Sequence, residues 1–361
     1  MSSAAMTPEP AARGDLSTPA LVVDLDLFEA NVAAMEALLH GSGKTVRPHV
    51  KTHRTPELAR RQLGGSVMGI TCATVGEAEA MVEAGFRDVL IANEVVGAGK
   101  IARLASLARR ASIAVAVDDP EPVAALSREA ARIGVTVGIL IDVDILLHRC
   151  GVASGEDAVA LARVIDRSPG LQLRGIMGYE GRLRLGDDDR AGKIAGAYGL
   201  LAEVADAVRS AGFAVDVVSG AGTSTLREAL ADPTITEIQA GVYALMEPEL
   251  LDLGLPFRCA VSIRGTVISR HPGRIVLDVG RRAVGVEYGP PQPIGFAATD
   301  IAISDEHTRI AMADPLPPLG SEVDLVPGQI RTTFNLHDDV WVSRGGRLLD
   351  RWPISARGTS Q

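Results

Sequence analysis

Aromatic side chains are scarce in this chain. Six Phe, four Tyr and two Trp amount to 3% of 361 residues, so any core must be built from Ala, Val, Leu and Ile. Cysteine is scarcer: Cys72, Cys150 and Cys259 are scattered, which excludes a disulfide framework and a Cys-x-x-Cys zinc signature. No apolar run approaches the roughly 18 residues of a membrane-spanning helix. Met1 to Arg13 lacks the basic-then-apolar order of a secretory leader. Clustered Lys and Arg are missing as well. With a net charge of -9 and a pI near 5.4, a nucleic-acid surface is not expected, because neutralising phosphates needs such clusters. The expectation is a cytoplasmic protein with neither membrane nor nucleic-acid partners. At 47% hydrophobic residues and a mean hydropathy of +0.18, the chain can bury one large core or two moderate ones.

The first 16 residues, rich in Ala, Pro and Ser, read as a disordered tail. A β-branched run, Thr18 to Asp24, is followed by apolar residues at helical spacing between Leu25 and Gly41. Strand-like runs then recur at Val46 to Val50, Val67 to Cys72, Asp88 to Ala92, Ile113 to Val117, Thr136 to Val143, Leu173 to Met177, Ala214 to Ser219 and Glu237 to Ala240. Ala-rich helical segments separate them. Eight strands alternating with helices fit an α/β fold, a (β/α)8 barrel over residues 17–255, better than an open sheet. After Leu255 the pattern changes to short strands with Gly, Pro and Asp turns, from Phe257 to Ser269 through Arg347 to Trp352. An all-β domain over residues 256–361 is expected there.

Two stretches carry chemistry. Lys51 lies in Pro48-His49-Val50-Lys51-Thr52-His53, between a strand-like run and a helix-like segment. That is where α/β barrels place their reactive groups. A lysine there can bond a carbonyl as an imine, because desolvation and nearby positive charge lower an ammonium pKa. A solvated lysine capping a strand is the plainer alternative. Ser219-Gly220-Ala221-Gly222-Thr223 follows the seventh strand and opens a helix, so its N–H groups can converge on an anion. Barrels frequently bind phosphate at that position; a plain turn is the alternative.

Together with His148-Arg149-Cys150-Gly151, Gly178-Tyr179-Glu180-Gly181, Glu237 to Tyr243, Asp278-Val279-Gly280 and Asn335-Leu336-His337, these motifs run in order along the chain. They resemble the pyridoxal-phosphate enzymes with an alanine-racemase-type barrel, in the branch of D-threonine aldolase and D-serine dehydratase. The resemblance implies pyridoxal 5'-phosphate bound covalently to Lys51, which also serves as the base at Cα. It implies a phosphate site made by Gly220, Ala221, Gly222 and Thr223 with Gly241 and Tyr243. Tyr179 and Arg149 are candidate contacts to cofactor or substrate, with a core tyrosine and a structural ion pair as their alternatives. His49 is expected beside the imine if the strand persists, whereas His53 reads equally as a surface residue. A homodimer is implied too, with small amino acids as substrates.

One departure stands out. The resemblance implies a divalent ion held by a His-x-Cys or His-x-Asp pair after a Val-Pro element, but here Gln329 and Arg331 occupy those positions. A guanidinium carries only donors and stays charged, so Arg331 cannot ligate a cation. No metal ligand is therefore expected there, and Arg331 becomes a candidate anchor for an anionic group on the substrate. His337 and Asp339 form the remaining H-x-D pair. The expected function is a lyase acting on a 3-hydroxy amino acid of D configuration. The alternatives are a metal-independent racemase or epimerase using Tyr179, His148 or His337 as second acid, and a non-catalytic cofactor-binding protein.

Overall fold

The computed structural model describes residues 16–361 except Ser66 and Met68, so the expected N-terminal tail falls almost entirely outside the described residues. The first elements are β1 (Ala20–Asp24) and α1 (Leu25–Leu39). The strand-helix alternation then runs β2 (Thr45–Val46), α2 (Pro56–Arg61), β3 (Ile70–Cys72), α3 (Val75–Glu83), β4 (Asp88–Glu94), α4 (Ala98–Leu107), β5 (Ser112–Val117) and α5 (Pro120–Ile133). It continues with β6 (Val137–Val143), α6 (Gly155–Asp166), β7 (Leu171–Gly178), α7 (Arg190–Ser210), β8 (Val217–Gly220), α8 (Leu226–Ala231) and β9 (Glu237–Ile238).

Strands β2 to β9 pair in the order β2-β9-β8-β7-β6-β5-β4-β3, all parallel. Isolated parallel bridges Val46 to Val67 and His49 to Thr71 join the two ends of that order. The expected (β/α)8 barrel is thus present. Its strands show why: β6 is buried at every position, as a strand covered on both faces must be. The interior is aliphatic, with Leu90, Ala116, Leu140 and Met177 packed as one cluster. Side-chain caps start several helices. Thr74 accepts from the Glu77 N–H, Asp119 from Glu121 and Ser154 from Asp157, and each satisfies a donor the helix leaves open.

Polar groups hold the seam. The Arg47 guanidinium, following β2, reaches Asp88 at the start of β4 (2.7 Å) and Glu237 at the start of β9 (2.8 Å). Thr71 donates its N–H to the Pro48 carbonyl (2.9 Å) and its hydroxyl to that of Arg47 (3.2 Å). Strand β2 is only two residues long, shorter than the run expected from Val46 to Val50.

The second compact unit joins the residues up to Ala33 to Ala244–Arg357, while the barrel unit spans Ala34–Tyr243 with Gly358–Gln361. Sequence order had put Thr18 to Asp24 with the barrel. Instead β1 pairs antiparallel with β10 (Val261–His271). The remaining elements are β11 (Arg274–Leu277), β12 (Gln292–Pro293), β13 (Asp300–Ile303), β14 (Thr308–Ala311), β15 (Glu322–Val326), α9 (Ile330–Leu336), β16 (Asp339–Arg344) and β17 (Arg347–Pro353). The sheet runs β13-β14-β11-β10-β1-β16-β17, with β15 pairing β10 and β12. It is mostly antiparallel; β1 and β16 run parallel. The expected β domain is thus present; it also carries one short helix, α9, whose N-cap is supplied by the Gln329 side chain.

Removing the Arg47 charge leaves the buried Glu237 carboxylate without its cation. Arg47→Met is expected to lower the unfolding free energy by about 3 kcal/mol, measured by urea titration. Adding Glu237→Gln should recover part of that loss. A single-variant loss under about 1 kcal/mol, the scale of an exposed pair, would show that the seam does not depend on this ion pair.

Candidate active site

Lys51 sits in a 3-10 turn, Val50–Thr52, just beyond β2. The strand has ended by then, so the alternation that would have aligned His49 with Lys51 does not apply. His49 is buried and donates its N–H to the Ala240 carbonyl (3.3 Å) beyond β9. A second contact comes from Gly241. A Cβ built there would lie 2.4 Å from the His49 carbonyl oxygen and 2.5 Å from Thr52 Oγ1, so no side chain fits between this turn and the lysine turn.

Tyr179 follows β7 and is half-buried. The Lys51 Nζ lies 6.0 Å from the centroid of its ring. A Cβ at Gly222 would stand 3.4 Å from Tyr179 Cε2. Amine, ring and glycine turn therefore share one mouth of the barrel. The turn leaves β8 at Gly220. Ala221 is buried at φ 62°, a left-handed conformation that costs a residue with a Cβ. Thr223 then opens a 3-10 turn and, through Oγ1, accepts the Tyr243 N–H (3.0 Å). The loops after the seventh and eighth barrel strands are so tied together.

The Tyr243 side chain points elsewhere. It is fully buried, and its hydroxyl accepts from Gln62 Nε2 (3.1 Å). Gln62 Oε1 meets His53 Nε2 (2.9 Å), while His53 Nδ1 accepts the Thr55 N–H (3.1 Å). Because Nδ1 accepts, Nε2 carries the proton. His53 is thus a buried neutral linker, which decides against the surface alternative. Burial lowers its pKa to about 4 against the hydrogen bonds to Gln62 and Thr55.

Arg149 and His148 are exposed. His148 is tied to Asp144 by both its N–H (2.8 Å) and Nδ1 (3.0 Å). Next to them is a group that motif reading missed. Glu94 ends β4, Asp118 follows β5 and Asp142 is the penultimate residue of β6, and one ligand-type atom each from Glu94, Asp118 and Cys150 lies within 4.8 Å of the others. Burial, and then the charge of Glu94, push the Asp142 carboxyl well above the usual carboxylate range. Burial and a hydrogen bond to Glu94 likewise push the Cys150 thiol up to about 11, so it is no thiolate nucleophile. The available signal was acidic residues closing three successive strands.

In the other unit, Gln329 Oε1 accepts the Thr332 N–H (2.6 Å) as helix cap. Arg331 donates to the Tyr288 hydroxyl (2.9 Å) and lies 5.7 Å from that ring's centroid. It does not pair with Asp338 or Asp339, whose cations are Arg357 and Arg351. His337 Nε2 donates to the Ala283 carbonyl (2.7 Å). His337 and Asp339 thus each have another partner.

A barrel carrying a lysine at one strand end and a glycine turn at another defines a class, and comparison with known proteins agrees. The chain belongs to the family of the alanine racemase N-terminal domain, which matches residues 23–247; a serine dehydratase domain matches residues 260–343. Among its full-length relatives is a D-threonine aldolase of an Arthrobacter species, 38% identical over 98% of this chain and 97% of the relative. A 3-hydroxy-D-aspartate aldolase of Paracoccus denitrificans is 34% identical over 95% of this chain and 93% of its own length. The crystal structure of D-threonine aldolase from Filomicrobium marinum superposes with a TM-score of 0.93 at 33% identity, covering 99% of this chain and 100% of the other. These relatives are lyases, as the motifs implied.

The unfolded chain binds a proton at His53 near pH 6.5, whereas the folded one does so only near pH 4. Stability from this group is whole above pH 6.5 and is lost as pH falls toward 4. Between pH 7 and pH 5 His53 should account for about 2 kcal/mol of lost unfolding free energy. The imidazole should remain neutral by NMR at pH 5. An imidazolium at that pH in the folded protein would contradict the assignment.

Proposed function

We propose that the barrel binds pyridoxal 5'-phosphate and acts as a lyase on a 3-hydroxy amino acid of D configuration, as an aldolase or dehydratase. The observation that carries this is that the Lys51 amine and Gly222 both lie next to the Tyr179 ring. The residues fit the cofactor. Lys51 supplies the amine for its aldehyde, and the turn from Gly220 to Thr223, with Gly241, borders the place for its phosphate and supplies backbone N–H groups other than that of Gly222, which Thr225 takes. The exposed Arg149 offers a guanidinium for an anionic oxygen. When bound, the cofactor withdraws electrons from the substrate Cα.

The chain's own side chains do the rest. Lys51 takes and returns a proton at Cα. Tyr179 bounds the space beside the amine and keeps the substrate on one face. Gly241 keeps its turn close to the lysine turn, since a side chain there would displace His49 and Thr52.

The divalent ion implied by the resemblance does not fit its position. Gln329 spends its carbonyl oxygen on the α9 N-cap, and Arg331 would repel a cation. We therefore assign no metal-dependent step to this pair.

Purified protein loaded with cofactor should release a carbonyl product from D-threonine or from a D-3-hydroxyaspartate, and not from the L isomers. Chelator should leave the rate unchanged, and Lys51→Ala should lower it by about 10³-fold or more. Strict dependence on a divalent ion would overturn the metal-free assignment. Solvent-deuterium exchange at Cα with loss of optical rotation and no carbonyl product would make the chain a racemase instead.

A further inference from the structure

Glu180, directly after Tyr179, is only 1% exposed, and the chemistry above does not use it. Its Oε1 accepts the hydroxyl of Thr225 and, at 3.4 Å, that of Tyr198 from α7. The same Thr225 oxygen accepts the Gly222 N–H (3.2 Å). A relay therefore runs from the Gly222 backbone through Thr225 to a buried carboxyl. Glu180 Oε2 has no hydrogen-bond partner, and among the described residues no cation pairs with this side chain. A carboxyl buried at half its bonding capacity is an expensive way to fill space, since an apolar residue would pack without the desolvation cost.

What it secures is the turn. Ala221 holds a left-handed conformation and Gly222 an extended one, φ -124° and ψ -174°. The Ala221 backbone persists only where its surroundings over-determine it. The carboxyl orients the Thr225 hydroxyl, so that its hydrogen points at Glu180 and a lone pair faces Gly222. From outside, Arg190 braces the same turn by donating to the Ser224 carbonyl (2.6 Å) while pairing with Glu228. Burial also shifts Glu180 toward its neutral acid, which limits the negative charge it presents near a bound phosphate.

We infer that Glu180, acting through Thr225, is a positioning residue that holds the Gly220 to Thr223 turn in its phosphate-binding shape. This rests on the proposal that the turn binds the cofactor's phosphate. It makes the carboxyl matter for the phosphate and not for the aldehyde or the ring.

The test titrates the apoprotein with pyridoxal phosphate and, separately, with pyridoxal, following the absorbance of the lysine adduct in wild type, Glu180→Ala, Glu180→Gln and Thr225→Val. Glu180→Ala and Thr225→Val should each weaken pyridoxal phosphate binding by about tenfold or more, with pyridoxal binding unchanged. The double variant should be no weaker than the worse single one, because both cut one relay. Glu180→Gln keeps the acceptor and should retain most of the affinity. Equal losses for both ligands, or unchanged phosphate-ligand affinity in Thr225→Val, would overturn the inference. Thr225→Val decides the matter if Glu180→Ala fails to fold. Wild type that binds both ligands equally tightly would refute the phosphate assignment, and wild type that binds neither would refute the cofactor reading itself.

Discussion

The closing of the barrel between β2 and β3 is the contact on which the site depends. Parallel pairing there is reduced to isolated bridges at Val46 and His49, so the ends are held by side chains. Arg47 reaches Asp88 on one side and Glu237 on the other. Two residues beyond the last of these bridges the chain turns and presents Lys51. A ladder of ordinary length would have carried the lysine along a strand. A short one, tied by a buried guanidinium, lets the backbone leave the sheet and lean on Gly241. The amine is placed by where the sheet stops.

The second barrel loop is built on the same principle, with its backbone held by side chains. Thr223 ties the β8 turn to Tyr243, Thr225 and Glu180 hold Gly222, and Arg190 holds Ser224. Each bond takes up a polar group that the turn would otherwise leave unpaired under the barrel mouth. The consequence is a turn already held in one shape, so that under the proposed function less ordering is lost on binding an anion.

How much of this could be read beforehand follows from what is local and what is not. Strand β6 and helix α5 were legible because a buried parallel strand is apolar throughout and an amphipathic helix keeps its period, here with a Pro start and Gly134 as left-handed C-cap. The lysine and the glycine turn stood out as motifs, and their loops came in the right order. Lost were the features set by distant partners. The apolar run at β1 pairs with β10, more than two hundred residues away, and nothing in its composition says so. His53 read equally as a surface residue because its acceptor, Gln62, and the tyrosine beyond are assembled only by the fold. Glu180 was visible in a motif, yet its role needs Thr225 beside it. The acids at Glu94, Asp118 and Asp142 are separated by whole helices and meet only at the strand ends.

The central claim is that Lys51 is the residue bonded to the cofactor. Borohydride reduction of the pyridoxal-phosphate-loaded protein, followed by peptide mapping, tests it directly. The account predicts a single phosphopyridoxyl group on the peptide containing Lys51. Label on Lys44, Lys100 or Lys193 instead, or no label at any lysine, would contradict it.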